Sequence, residues 1–403
     1  MTLPETDILT SIVRRVFRVD EFSLGDPQPR TGAGATWKGY FLRYRGELIG
    51  DSMAAYEQLA AALLPYDITP LFRIEDKRQT ILLVHGTIQP RPGRVWVNIL
   101  LFVLTLFSVL FAGTMYSYSG PVPQVATGQI WTLVTHLWVG WPFALSLLAI
   151  LLAHEFGHYF VGRARGAAVS LPYFIPFPIS LLGTMGAFIQ LKQLPRNKRA
   201  LFDLAIAGPL AGLVVAIPLL LFGLSRSSLA IISAVPGGFV EGNSLLYLAA
   251  KFVVFGKLLP AVPGLTGLPL LSHWVTYFFI GQPSPVGSLD VMINPVAWAA
   301  WAGLLVTFLN LVPAGQLDGG HVIYAVFGKR VNLIIPVILV ATVILGFFWS
   351  GWWLWTVLIF FLGRAHAEPL DQITQLDPSR KAMAVLMLVI FLLVLMPVPL
   401  LTF

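Results

Sequence analysis

The sequence predicts a polytopic α-helical membrane protein preceded by a small α+β soluble domain. Of the 403 residues, 57% are hydrophobic and only 11% are charged, with a mean hydropathy of +0.78. That is far more apolar than a soluble domain of this length tolerates. The apolar residues gather into runs comparable with the roughly 20 residues that a bilayer-spanning helix needs. The first 90 residues stand apart, because they hold most of the acidic side chains.

Within residues 1–90, GYFLRYRGEL (Gly39 to Leu48) reads as a strand and MAAYEQLAAALL (Met53 to Leu64) as a helix. TPLFRI and TILLVHG read as two further strands. This domain carries no nucleotide or metal motif, which leaves it a regulatory or docking role. The opening MTLPETDILTSIVRR contains Glu5 and Asp7 and lacks an apolar core. It resembles neither a secretory signal nor a transit peptide, so the chain reads as mature from Met1. QPRPGR (Gln89 to Arg94) is a linker into the membrane.

Residues 91–140 contain the first span, Val95 to Met115, and a loop. The second span runs from Pro142 to about Ala164, the third from about Ala200 to Phe222 and the fourth from Pro295 to Pro313. Residues 331–403 add carboxy-terminal spans: two short ones within Asn332 to Leu362, broken at SGWW, and a last one from Ala382 to Leu401. Between Ser225 and Asn294 the apolar pieces are interrupted by Gly, Pro, Glu241, Lys251 and Lys257, and read as an extended loop with interfacial helices.

The formal charge of +7 does not point to nucleic acid. Arg91, Arg94, Arg163, Arg165, Lys192 to Arg199, Lys329 and Arg330 flank apolar runs and all fit on one side, as the positive-inside rule places them. With that side cytoplasmic, the expectation is a multi-pass protein of a bacterial cytoplasmic membrane. The chain has no cysteine, which excludes disulfides, thiolate metal sites and cysteine-protease chemistry.

The stretch ILLAHEFGHYFVGRARG (Ile150 to Gly166) places His154, Glu155 and His158 in the second span. Ionisable groups in hydrocarbon cost at least a few kcal/mol each, so a function is expected of them. Residues four apart share a helix face, so His154 and His158 project together as two imidazole ligands of one Zn²⁺. Glu155 then stands where the general base of H-E-x-x-H metallopeptidases stands. The alternatives are a polar cluster bonded to neighbouring helices, or a proton or ion path in a transporter.

A catalytic zinc needs a third protein ligand. The position six residues after His158 is Ala164, and the downstream glutamates Glu241 and Glu368 are poorly placed. Asp318, in LNLVPAGQLDGGH (Leu309 to His321), directly follows the fourth span. Pro313, Gly315, Gly319 and Gly320 would let the chain loosen there and carry the carboxylate to another helix. A loop aspartate bonded to nearby backbone N–H groups is the competing reading.

HEFGH on an apolar helix, followed far downstream by NLVPAGQLDGG, resembles the site-2 protease family of intramembrane zinc metalloproteases. Asn310, Pro313, Leu317, Asp318 and Gly319 match its second motif, N-x-x-P-x-x-x-L-D-G. GTMGAFIQLK and DLAIAGPLAG resemble segments the family carries between its motifs, and EGNSLLY and the amino-terminal module resemble the EGY-like plastid and bacterial branch. No PDZ-like insertion is evident. The resemblance implies a three-helix metalloprotease core over residues 141–330. It also implies one zinc per chain on His154, His158 and Asp318, Glu155 as catalytic acid and base, and transmembrane-helix proteins as substrates in regulated intramembrane proteolysis. Nothing in it fixes the oligomeric state.

In this family the region around Gly183 and Gly186 forms a loop or hairpin beside the active site, able to bind an unwound substrate as an added strand or to be a plain interfacial loop. Asn310 could hydrogen-bond substrate or only cap freed backbone. His321 could orient Asp318 or face solvent. The AGPLAG run (Ala207 to Gly212) reads as small-residue helix packing, and His85, His136, His273 and His366 as ordinary histidines. Beside the transporter, two further alternatives are a membrane zinc protease of the prenyl-peptide type, which takes a glutamate ligand, and a silent protein that holds client helices.

Overall fold

The computed structural model describes residues 6–25, 39–87, 93–233, 238–262, 264–363 and 368–402. Most of the Gln89 to Arg94 linker and His366 lie outside them.

The amino-terminal module contains α1 (Thr6–Val13), β1 (Phe17–Leu24), β2 (Leu42–Leu48), α2 (Ser52–Leu63), β3 (Ile68–Glu75) and β4 (Arg78–His85). Its strands form an antiparallel sheet in the order β1-β2-β4-β3. Asp76 and Lys77 join β3 to β4 with φ of 50° and 65°, the left-handed pair that a two-residue hairpin turn of matching twist requires. Asp51 caps α2 by accepting from the Ala54 N–H. Leu9, Val13, Tyr44, Leu59, Phe72 and Ile81 fill a core separate from that of the long helices. Neither α1 nor β1 is among the sequence expectations, although Leu9, Ile12 and Val13 give α1 a helical spacing. β1 carries adjacent Asp20 and Glu21 and is held as a strand by its pairing with β2.

The rest of the molecule is mostly helical. It comprises α3 (Val95–Ser117), α4 (Ala126–Thr135), α5 (Trp141–Ala164), the hairpin β5 (Tyr173–Pro176) and β6 (Thr184–Phe188), and α6 (Lys198–Ser225). Then come β7 (Ser228–Ile231), β8 (Phe239–Glu241), α7 (Leu245–Phe255), α8 (Gly267–Ile280), β9 (Leu289–Met292) and α9 (Pro295–Leu311). The chain ends with α10 (Asp318–Phe327), α11 (Ile335–Gly346), α12 (Gly351–Leu362), α13 (Pro378–Val394) and β10 (Leu400–Thr402).

Among the described residues α3, the stretch Leu137–Ala164 that includes α5, and α6 are each long and apolar enough to cross a membrane. Asp318–Leu333 and Ile335–Gly346 pass the same test only together, bent by 81°. α3 is inverted relative to a water-soluble helix: it buries Asn98, Thr105, Ser108 and Thr114 and exposes Leu100, Val103, Leu104 and Phe107. That inversion suits hydrocarbon outside and protein inside.

α9 is the central helix. Residues 297–304 are all buried, and the run AWAAWAG lets α5 and α6 approach it while the Trp298 and Trp301 rings stack at 4.7 Å. The 225–294 region is more ordered than its broken apolar pattern suggests, since β7 pairs with β9 and β8 with β10. α13 ends at Val394 rather than Leu401, because Pro397 and Pro399 end the helix and residues 400–402 return as a strand.

Candidate metal centre

α5 and α10 supply the three donors. Helical spacing sets His154 and His158 one turn apart on α5, their Nε2 atoms 3.1 Å from each other. Asp318 opens α10. Gly319 and Gly320 carry that helix start onto the end of α9, where a Cβ would meet the Leu311 and Gly315 carbonyls at 2.0 and 2.4 Å. The expected loosening after the fourth span is thus a full stop at Leu311, a turn with Gly315 at φ 57°, and a new helix. It brings Asp318 Oδ2 to 3.2 Å from His154 Nε2 and Oδ1 to 3.3 Å from His158 Nε2.

The second nitrogen of His158 is spoken for. Nδ1 lies 2.8 Å from the Leu204 carbonyl of α6. A carbonyl only accepts, so Nδ1 carries the proton and Nε2 is left with a lone pair facing the group. Two imidazole nitrogens and a carboxylate, all within 4.8 Å, are the one group among the described residues arranged to hold a metal ion. Ligand atoms around a tetrahedral zinc at about 2.0–2.1 Å stand roughly 3.3 Å apart, close to the spacings found. Glu155 is buried beside them, and its Oε2 has no hydrogen-bond partner among the described residues. A buried carboxylate oxygen without a partner needs a donor such as water. The residues fit zinc.

The three donors and Glu155 line a cleft of about 190 Å³ with Ala187, Phe188, Ile189, Leu191, Leu204, Asn310, Leu317 and His321. Asn310 Nδ2 sits 3.4 Å from His154 Nε2. His321 is buried one turn along α10 from Asp318. Gly183 and Gly186 are not among the lining residues. Gly183 turns against α3, with its carbonyl accepting from Ser108 Oγ and a Cβ there reaching Ser108 O at 2.5 Å, and Gly186 faces open space. Glu241 and Glu368 are engaged elsewhere, the first with Tyr247, the second with Lys329 and Gln372. His85 stacks on Phe41, His136 bonds the Thr132 carbonyl and His273 stacks on Tyr277.

Residues 142–350, just over half of the chain, match peptidase family M50. The chain belongs to that family. The probable zinc metalloprotease EGY2, chloroplastic, of Arabidopsis thaliana is 26% identical over 410 residues, which cover 99% of this chain and 66% of the relative. Its namesake in Oryza sativa subsp. japonica is 28% identical, covering 96% and 65%. The probable zinc metalloprotease EGY1, chloroplastic, of the same rice is 30% identical over 62% of this chain and 41% of the relative. The chain therefore spans at most about two thirds of the length of these relatives.

Membership of M50 agrees with the resemblance read from HEFGH and NLVPAGQLDGG. The placement in a bacterial cytoplasmic membrane is corrected: these relatives are named chloroplastic, which points away from it to a plastid membrane. Basic residues at helix ends tell which ends share a side, and they carry no information on which bilayer the helices cross. The site does lie at the basic ends, near Arg163 and Arg165. Missed by sequence reasoning was the Leu204 carbonyl, a backbone group whose residue type carries no signal of a site. The segment 183–192 that the resemblance set beside the site does line it, through Ala187, Phe188, Ile189 and Leu191 rather than Gly183 and Gly186.

Proposed function

We propose that this chain is an intramembrane zinc endopeptidase that cleaves transmembrane helices of membrane-anchored proteins. The observation that carries the reading is the convergence of His154, His158 and Asp318 within 4.8 Å beside the unpartnered oxygen of Glu155. His154, His158 and Asp318 hold the zinc. When bound, it polarises the scissile carbonyl and makes water nucleophilic near neutral pH. Glu155 takes the proton of the attacking water and passes it to the leaving amine.

The bilayer setting rests on α3, whose apolar side chains point outward and whose small polar ones point inward. A plastid membrane is the setting that agrees with relatives named chloroplastic. A transmembrane substrate must unwind, because helical peptide bonds are hydrogen-bonded and shielded. β6 pairs on one side with β5, and its residues Ala187 and Phe188 reach the cleft. An unwound segment laid along it would find backbone partners that hydrocarbon does not provide. Residues 141–330 form the catalytic core and residues 1–90 act upon it. The engagement of Glu241 and Glu368 away from the cleft favours this reading over the prenyl-peptide type.

The test is zinc per polypeptide, by mass spectrometry on detergent-purified protein, with Asp318→Asn and His154→Ala alongside. About one zinc in wild type and loss in both variants supports the three-ligand site. Zinc-free wild type after chelator-free purification and zinc supplementation removes the protease reading and brings the transporter forward.

A further inference from the structure

The segment joining α12 to α13 touches three parts of the molecule at once. On one side the Leu370 and Asp371 N–H groups donate to the Pro195 and Arg196 carbonyls at 2.9 and 2.8 Å, beside the entry to α6. On the other, the Phe72 N–H donates to the Leu370 carbonyl and the Gln372 N–H to the Phe72 carbonyl, both at 3.0 Å. Residues 370–372 thereby extend the amino-terminal sheet beyond β3. Arg73 Nη1 donates to the Pro369 and Leu370 carbonyls at 3.0 and 2.9 Å. The fully buried Asp371 carboxylate accepts from Ser52 Oγ and from the Ile373 and Thr374 N–H groups.

The Gln372 side chain turns toward the metal centre's own helix. Its Nε2 donates to Tyr324 OH at 3.2 Å and to Glu368 Oε2 at 2.8 Å. Tyr324 is buried on α10, six residues after Asp318. At ~1.5 Å per residue, about 9 Å of helix separates them. The Asp318 end of α10 rests on bare backbone through Gly319 and Gly320, with no side chain wedged between. Val322 and Ala325 pack α10 against Phe202 and Ala205 of α6, and the Gln372 bond ties the Tyr324 end of that packing to the segment. A metal ligand must be held within about 0.5 Å of its productive position.

We propose that residues 368–374 form a strap through which the amino-terminal module positions Asp318, with Gln372 as the positioning residue that holds α10. The proposal rests on the zinc reading above and deepens it: the module acts on the site through its docked edge strand rather than through a ligand of its own. Loss of docking would turn α10 and loosen the third donor.

The experiment measures the zinc dissociation constant of full-length, detergent-purified protein by competition with a chelating dye. The variants are Tyr324→Phe, which keeps the ring packed, Gln372→Leu and the pair combined. Each single change is expected to weaken zinc about five- to tenfold, the range between one lost neutral hydrogen bond and a lost supporting contact to a ligand. The double variant is expected to be no weaker than Gln372→Leu alone, because that change already removes the bond shared with Tyr324 together with the one to Glu368. On a reconstituted transmembrane substrate kcat falls while KM holds. Unchanged zinc affinity in both single variants, with only a lowered melting temperature, overturns the proposal. Fully additive losses overturn it as well. Wild type that binds no zinc overturns the underlying reading together with the proposal, whereas tight wild-type binding unmoved by Tyr324→Phe and Gln372→Leu sinks the proposal alone.

Discussion

A Cβ on Gly208 would stand 2.1 Å from Nε2 of His158. No methyl group fits at that distance, and Gly208 lies within α6 four residues after Leu204, whose carbonyl fixes the other nitrogen of the same ring. Gly208 is therefore the space in which the His158 imidazole sits. Gly208→Ala is expected to push the ring off its position and weaken zinc by 10–100-fold or more, as loss of a ligand's support does. Metal content against unchanged helical circular dichroism checks it. Full zinc occupancy in Gly208→Ala would show that α6 yields instead.

Glu155 is buried next to the donors and bonds none of them through Oε2. Glu155→Gln is expected to keep about one zinc per chain and to lower kcat by about 10²–10⁴, the usual worth of a general base. Parallel metal analysis and cleavage assays decide it. Zinc lost along with activity would make Glu155 a ligand.

The two halves of the site were unequally legible. His154, Glu155 and His158 lie on one helix, so spacing alone predicted their common face. Asp318 announced itself as an aspartate after an apolar run, beside the proline and glycines that could carry it to another helix, but its partner is 160 residues away, and the motif resemblance decided what placement alone left open. AGPLAG read as close packing, yet the sequence could not say that Gly208 packs against a ligand. The walls Ala187 to Ile189 fall in the segment the resemblance set beside the site, though not on its glycines, while the Leu204 carbonyl comes from an ordinary residue brought in by the tertiary fold. In the amino-terminal module β2, α2, β3 and β4 followed from alternation and periodicity, while β1 exists by pairing rather than pattern. The strap at 368–374 is invisible in sequence because its partners, Ser52, Phe72, Arg73, Pro195, Arg196 and Tyr324, lie far from it along the chain.

Asn98 ties the cleft's hairpin to the first long helix. Its Nδ2 donates to the Leu171 and Pro172 carbonyls at 3.0 and 2.9 Å, just before β5. Asn98→Leu takes the amide donor from the Pro172 carbonyl, while the Leu171 carbonyl keeps Ser170 Oγ, a loss of about 1–3 kcal/mol. The expected result is faster hydrogen exchange across β5 and β6 and a severalfold higher KM for a transmembrane substrate, with zinc unchanged. An unaltered KM would separate the hairpin from substrate binding.

Lys251 is fully buried, with Nζ 2.9 Å from Asp290 Oδ1, 3.9 Å from Glu241 Oε1 and 4.5 Å from the centre of the Tyr247 ring. It joins α7 to β8 and β9 across the connection between α6 and α9. Lys251→Met leaves two carboxylates buried together without their cation, and breaking such a group costs about 3–5 kcal/mol. Against a typical net stability of about 5–15 kcal/mol, that is enough to lower yield and melting temperature markedly. Neutralising the partners removes the cause, so the triple variant Lys251→Met, Glu241→Gln, Asp290→Asn is expected to recover most of the loss. Thermal unfolding in detergent checks both statements. A single variant as stable as wild type would mean that the carboxylates are not ionised in the native protein, and a triple variant no better than the single would assign Lys251 a packing role in place of an electrostatic one.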